Sequence, residues 1–352
     1  MAVDLLKRLI LTPSVSREEA ATATIIESWL GERGITTHRY GNNVLAYSKR
    51  FDPAKRKTLL LNSHHDTVRP AASYTRDPFS PAVEGDRLYG LGSNDAGASV
   101  VGLMSAFAHW WNKPLSINLL LAITCEEEVM GEGGIRSLSE QLSCVDMALV
   151  GEPTQLDAAV GERGLVVLDC VARGVSGHAA RCEGVNALQK AVDDIVLLRG
   201  FEFEKRSELL GDIKLSTTMI EAGTQHNVVP DVCKFVVDIR TTDAYTNQQV
   251  VDILQGAMQS QITPRSTRIT ASALDSDHPM LLAAKELGAT PYVSPTTSDM
   301  ALMSYPSLKL GIGDSARSHT ADEYVGISEL NEGVLFYKKY IEKLSQYYET
   351  ME

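Results

Sequence analysis

The sequence predicts an α/β fold, a mostly parallel mixed sheet flanked by helices, with a smaller α+β domain inserted into it. Three observations predict it. Short apolar runs recur along the chain: VLAY (44–47), TLLL (58–61), INLLLAIT (117–124), MALV (147–150) and LKLGI (308–312). Helical patterns separate several of these runs, and strands alternating with helices build parallel sheets buried on both faces. From about residue 163 the texture changes, because LVVLDCVARG and KFVVDIRTT alternate apolar and polar residues as half-buried strands do.

The first helix signal is Ser16-Arg17-Glu18-Glu19, which reads as a capping box opening a helix through IIESWL that ends near Gly31 or Gly34. ASVVGLMSAFAHWW (98–111) places Val101, Met104, Ala108 and Trp111 at helical spacing. In the middle of the chain, VNALQKAVDDIVLLRG (185–200) and NQQVVDILQGAMQSQI (247–262) are amphipathic helical stretches set among strands. A strand-helix-strand-strand-helix order is that of a compact α+β module. The buried-strand texture resumes near residue 280. Residues 163–265 are therefore expected to form an insertion, and residues 1–162 with 266–352 one larger, discontinuous domain. Two domains also suit a length of 352 residues.

Composition narrows the function classes. Lys plus Arg total 33 against 45 for Asp plus Glu, a formal charge of −12, which argues against nucleic-acid and anionic-membrane partners. Asp4, Lys7 and Arg8 interrupt the apolar N-terminus, and no segment reaches the roughly 20 apolar residues of a membrane span. The cysteines (Cys125, Cys144, Cys170, Cys182, Cys233) are odd in number and form no C-x-x-C. That usage fits a reducing compartment, and a cytoplasmic location is expected.

Ligands of open α/β sheets bind beyond the carboxyl ends of the strands. After TLLL come His64, His65 and Asp66; after INLLLAIT come Glu126, Glu127 and Glu128; after MALV comes Glu152; after LKLGI come Asp314 and His319. Asp95 sits in a glycine-flanked loop just before the long helix. Each alone has a mundane reading: a hydrogen-bonded histidine, a helix cap, a solvated acidic turn. Together they are a cluster of carboxylates that would be costly to bury without a counter-charge. Imidazole and carboxylate without thiolate suit Zn²⁺ or another divalent first-row metal. The carboxylates outnumber the needs of one ion, so a pair of metals sharing Asp95 fits the count better.

These residues resemble, in order and over nearly the whole chain, the M20 family of co-catalytic zinc peptidases and N-acyl-amino-acid deacylases. His64-His65-Asp66 resembles its H-x-D, Asp95 its bridging Asp, Glu127-Glu128 its E-E pair, Glu152 its GEPT glutamate and His319 its final ligand. The resemblance implies one metal on His64, Asp95 and Glu152 and another on Asp95, Glu128 and His319, as zinc or cobalt. It implies Glu127 as general base and Asp66 as the brace of the His64 imidazole, sharing its strand face at spacing two. Glu126 would be structural. The insertion would be a lid and dimerisation domain, with His178 stabilising an oxyanion, often in the partner subunit. HNVVPD (226–231) and VDIR (237–240) resemble lid strands, from which Asn227 and Arg240 would bind the substrate carboxylate. Thr297 and Ser298, in PTTSDM, resemble the substrate loop.

The run GDSARSHTADEY (313–324) is most similar to the acetylornithine and N-acetyl-lysine deacetylase branch. The implied activity is hydrolysis of a linear amide, that of a small N-acyl amino acid, with N2-acetylornithine of arginine biosynthesis in first place. N-acetylcitrulline, N-acetyl-lysine and N-succinyl amino acids, or a dipeptide, would use the same metals, and a non-catalytic homologue is the remote alternative. A dinucleotide-binding site is disfavoured, because Asp95 stands where the third glycine of G-x-G-x-x-G would be.

Overall fold

The apolar runs become strands whose order explains the site. The computed structural model describes residues 2–181 and 183–349, so Cys182 lies outside the described residues. The chain divides into two compact units, one comprising Met1–Val160, Leu274–Tyr292 and Ser298–Glu352, the other Gly161–Ala273 and Val293–Thr297.

The large sheet has its strands in the order Thr37–Tyr40, Asn43–Tyr47, Asn118–Thr124, Thr58–His64, Met147–Val150, Ser307–Lys309 and Ala158–Glu162, all of these in the first unit except the last two residues of Ala158–Glu162. Thr58–His64 runs parallel to both Asn118–Thr124 and Met147–Val150, and Ser307–Lys309 runs parallel to Met147–Val150. Their carboxyl ends therefore open on one edge of the sheet. The alternation of side chains explains why the runs are apolar throughout. Leu59 and Leu61 pack with Leu5, Ile26, Val101, Phe107 and Tyr337 from the helices of one face, whereas Leu60 packs with Leu120, Leu138, Val150 and Met300 on the other.

Two boundaries differ from the sequence reading. The second helix is Ala20–Gly31, and Ser16 does not cap it. The Ser16 hydroxyl instead donates to Asp66 Oδ2 (2.7 Å), and Glu19 is buried, accepting from the Arg17 N–H and the Asn42 amide. The helix begins only after Glu19, so Ser16 stands three residues before the N-cap position and no capping box forms there. The stretch 247–262 also divides, into the helix Asn247–Ala257 and the strand Gln261–Pro264.

The second unit is a sheet in the order Lys214–Ala222, Val232–Thr241, Gly164–Arg173, Gln261–Pro264, antiparallel throughout. The helices Ala187–Arg199 and Asn247–Ala257 supply Ala187, Ala191, Leu198, Val250 and Leu254 to a core with Val166, Leu168, Phe235 and Val237. Asn186 caps the first helix through the Leu188 N–H (2.9 Å), and Thr246 with Gln249 forms a full capping box on the second. HNVVPD is not a strand. It lies in the connection between Lys214–Ala222 and Val232–Thr241, where Pro230 lacks the N–H a ladder requires.

Candidate metal centre and active site

His64 is the last residue of its strand and is buried. Its Nδ1 lies 3.0 Å from the Asp66 carbonyl oxygen, which can only accept, so Nδ1 carries the proton. Nε2 faces Asp95 Oδ1 at 3.2 Å, Glu152 Oε1 at 3.7 Å and Glu127 Oε2 at 3.9 Å. On the other side of Asp95, Oδ2 lies 3.8 Å from His319 Nε2, which itself meets Glu128 Oε2 at 2.9 Å. The two oxygens of Asp95 thus face two different imidazoles. The donor atoms of His64, Asp95 and Glu152 form one tight group, and those of Asp95, Glu128 and His319 a second.

His65 serves a different purpose. It is buried on the opposite side, against the Asn42 carbonyl (2.9 Å) and the Thr22 hydroxyl (2.8 Å), and burial lowers its pKa. Asp66 braces His64 through its backbone carbonyl, while its carboxylate stands 3.4 Å from Nδ1. The strand ends at His64, so Asp66 reaches back from the turn and shares no strand face with it. Its carboxylate accepts the N–H groups of Glu127 (3.1 Å) and Glu128 (3.2 Å) and thereby sets the acidic turn against the histidine.

Glu127–Val129 is a single 3-10 turn. Glu126, at φ +56°, turns its carboxylate away into the glycine-rich loop, where the Gly133 N–H donates to it. A Cβ on Gly131 would lie 1.9 Å from Glu126 Oε2, so that loop is glycine-rich because a carboxylate fills it. Of the three consecutive glutamates, one is structural and two face the cluster.

The electrostatics fit bound cations. Burial pushes the pKa of Glu152 up to about 8 and that of Glu127 well above its ordinary value, and buried Asp299 rises to about 6. Burial works against the charge on His64, but the carboxylates of Glu152 and Glu127 outweigh it and raise its pKa. The hydrogen bond to Glu128 lifts His319 to about 9. Glu152 Oε1 is buried without a hydrogen-bond partner. Buried acceptors in this number are stable when cations replace the missing protons and donors. Asp299, the acidic residue of the PTTSDM run, also belongs to this buried group. It succeeds Ser298 and accepts from the Thr124 hydroxyl (2.8 Å) at the end of the Asn118–Thr124 strand.

The remaining candidates are distributed differently. Ser298 is buried, and its hydroxyl accepts from the Met300 N–H at the start of a 3-10 turn, while Thr297 belongs to the second unit. His178 is exposed, with Nδ1 accepting from the Ala180 N–H, and bridges to Val228; the Asn227 carbonyl accepts from the Ala179 N–H. Arg240 is held bidentately by Asp238, at 2.8 and 3.1 Å, so its guanidinium is already paired. The spacing of two along a strand puts both side chains on one face and makes that pair legible afterwards.

Residues 60–343 match Peptidase family M20/M25/M40, and the chain belongs to that family, whose members hydrolyse amide bonds. It is 28% identical over 364 residues to a succinyl-diaminopimelate desuccinylase of Rhizorhabdus wittichii, covering 94% of each chain. It is also 28% identical to the enzyme of the same name from Dinoroseobacter shibae, over 92% of this chain and 93% of that one. Among solved structures, aminopeptidase PepT from Bacillus cereus superposes with a TM-score of 0.76 at 18% identity, covering 97% of this chain and 98% of that one. The YXEP protein of Bacillus subtilis, described as a dinuclear metal binding peptidase, gives 0.71 at 17% identity over 99% and 98%. These likenesses establish the α/β fold. Among the described residues, no helix is long and apolar enough to cross a membrane.

Proposed function

We propose that the protein is a binuclear metal-dependent deacylase that hydrolyses the amide bond of a small N-acyl amino acid. The observation that carries this reading is Asp95, whose two oxygens face His64 and His319 separately while Glu127 stands beside His64. His64, Asp95 and Glu152 would hold one divalent ion, zinc or cobalt, and Asp95, Glu128 and His319 the other. Such a pair supplies Lewis-acid polarisation of the amide carbonyl and activation of water.

The chain's own residues do the rest. Asp66 fixes the backbone of Glu127 and the tautomer of His64. Glu127 takes a proton from the attacking water and delivers it to the leaving amine nitrogen. His178 donates to the developing oxyanion, acting in the partner subunit of a homodimer formed through the second unit. Two features support that dimer. The strand Lys214–Ala222 is a sheet edge, and it leaves Met219 64% and Ile220 50% exposed, a surface that a second copy would cover. Asn227, Thr297 and Ser298 remain candidates for contact with substrate, and Arg240 would have to exchange Asp238 for the substrate carboxylate.

The names of the desuccinylase relatives support an N-succinyl amino acid as substrate. N2-acetylornithine is the second reading, and the run GDSARSHTADEY favours it. The test is kcat/KM of the zinc-loaded protein on N-succinyl-diaminopimelate, N2-succinylornithine, N2-acetylornithine, N-acetylcitrulline and a set of dipeptides. A succinyl preference of tenfold or more, about 1.4 kcal/mol, is expected. An acetyl preference of that size selects the second reading, and turnover of dipeptides alone overturns both.

A further inference from the structure

Glu323 lies four residues beyond His319 and is buried. Its Oε1 accepts the N–H groups of Asn94 (2.8 Å) and Asp95 (2.9 Å), and its Oε2 accepts that of Gly92 (2.9 Å). Its backbone carbonyl accepts the Gly90 N–H (3.0 Å). The turn that presents Asp95 therefore hangs on a carboxylate from the segment that carries His319.

A second clamp closes the other end of that segment. Asn94 Oδ1 accepts the Asp314 N–H (2.9 Å), and Asn94 Nδ2 donates to the Asp314 carbonyl (3.0 Å). Gly313 leaves room for it, since a Cβ there would lie 2.3 Å from Asn94 Oδ1. Between the clamps, His319 (φ +59°) and Asp322 (φ +55°) hold left-handed backbone conformations that favour glycine. Such a segment keeps its shape only when its surroundings impose it. The first ligand group is secured otherwise. His64 ends one of two neighbouring parallel strands and Glu152 stands just past the end of the other. Asp95 is also tied on its far side by the Gly97 N–H to the Gly92 carbonyl (3.0 Å).

We propose that Glu323, with Asn94, is a positioning residue that sets the affinity of the second ion site (Asp95, Glu128, His319) while leaving the first (His64, Asp95, Glu152) nearly unchanged. The inference rests on the two-ion reading but not on the identity of the substrate. Outer groups that orient metal ligands change metal affinity by roughly 10–100-fold, and here that effect falls on one site of the pair.

The experiment is a Zn²⁺ titration of the full-length apo protein against a chromophoric chelator, comparing wild type with Glu323→Gln, Glu323→Ala and Asn94→Ala. Thermal melting of each apo protein monitors the fold. Wild type is expected to take two ions. The variants should hold the first within about threefold and the second roughly 10–100-fold more weakly, with Glu323→Gln, which keeps one acceptor oxygen, less affected than Glu323→Ala. Equal weakening of both ions, no weakening, or loss of the fold in all three variants would overturn the positioning role. A wild type that takes a single ion would overturn the two-ion reading itself and this inference with it.

Discussion

His64 is sealed at a strand end with 1% of its side chain exposed, whereas His319, its counterpart across Asp95, stands on a loop at 56%. The first ligand group is built by the sheet: His64 and Glu152 sit at or just beyond the ends of adjacent parallel strands, so backbone pairing sets their spacing. The second is built by loops, with Glu128 on a 3-10 turn and His319 in a left-handed conformation. One carboxylate serves both. The difference teaches that two chemically similar ligand groups can owe their geometry to unlike causes, and it predicts that an ion held by the loop-built group would be the one to exchange faster.

Replacing the shared group should have the largest effect. Asp95→Ala is expected to abolish binding of both ions and lower kcat/KM by a thousandfold or more, about 4 kcal/mol of transition-state stabilisation. Retention of one tightly held ion, measured by metal analysis after dialysis, would show that the sites are independent. Next comes Glu127→Gln, for which metal content should stay at two ions while kcat falls by roughly 10²–10⁴. Residual activity within tenfold of wild type would remove Glu127 from proton transfer.

Smaller effects separate the two imidazoles. In the apo protein, His64→Ala should cost about 1–3 kcal/mol of stability, because it leaves buried acceptors unpaired. His319→Ala, which removes a ring that is half exposed although it pairs with Glu128, should cost less, about 1 kcal/mol or below. Urea unfolding of both variants checks the ranking, and equal costs would contradict the contrast between sheet-built and loop-built sites. Gly131→Ala should cost about 1–3 kcal/mol through overpacking against Glu126, without changing metal stoichiometry.

Much of the fold and the site is legible in the sequence, for identifiable reasons. Strands buried on both faces advertise themselves as continuous apolar runs, and the residues immediately after each run are those that reach the site. That logic finds His64, Glu127, Glu128 and Glu152. It assigns no role to Asp299 or Glu323, although they lie in the runs PTTSDM and GDSARSHTADEY, since a carboxylate in a sequence looks the same whether it faces solvent or backbone N–H groups. The capping box at Ser16 misleads because local spacing cannot reveal that the helix starts only after Glu19, while the Ser16 hydroxyl donates to Asp66, 50 residues away. For Arg240 the i, i+2 partner Asp238 is visible in the sequence, and the strand geometry that pairs them is what makes it meaningful.

That Asp95 joins two ion sites is tested most directly by the anomalous difference map of a zinc-loaded crystal. Two peaks are expected, one beside Asp95 Oδ1 with His64 and Glu152, the other beside Oδ2 with Glu128 and His319. A single peak, or two peaks with Asp95 bound to only one of them, would contradict a shared carboxylate.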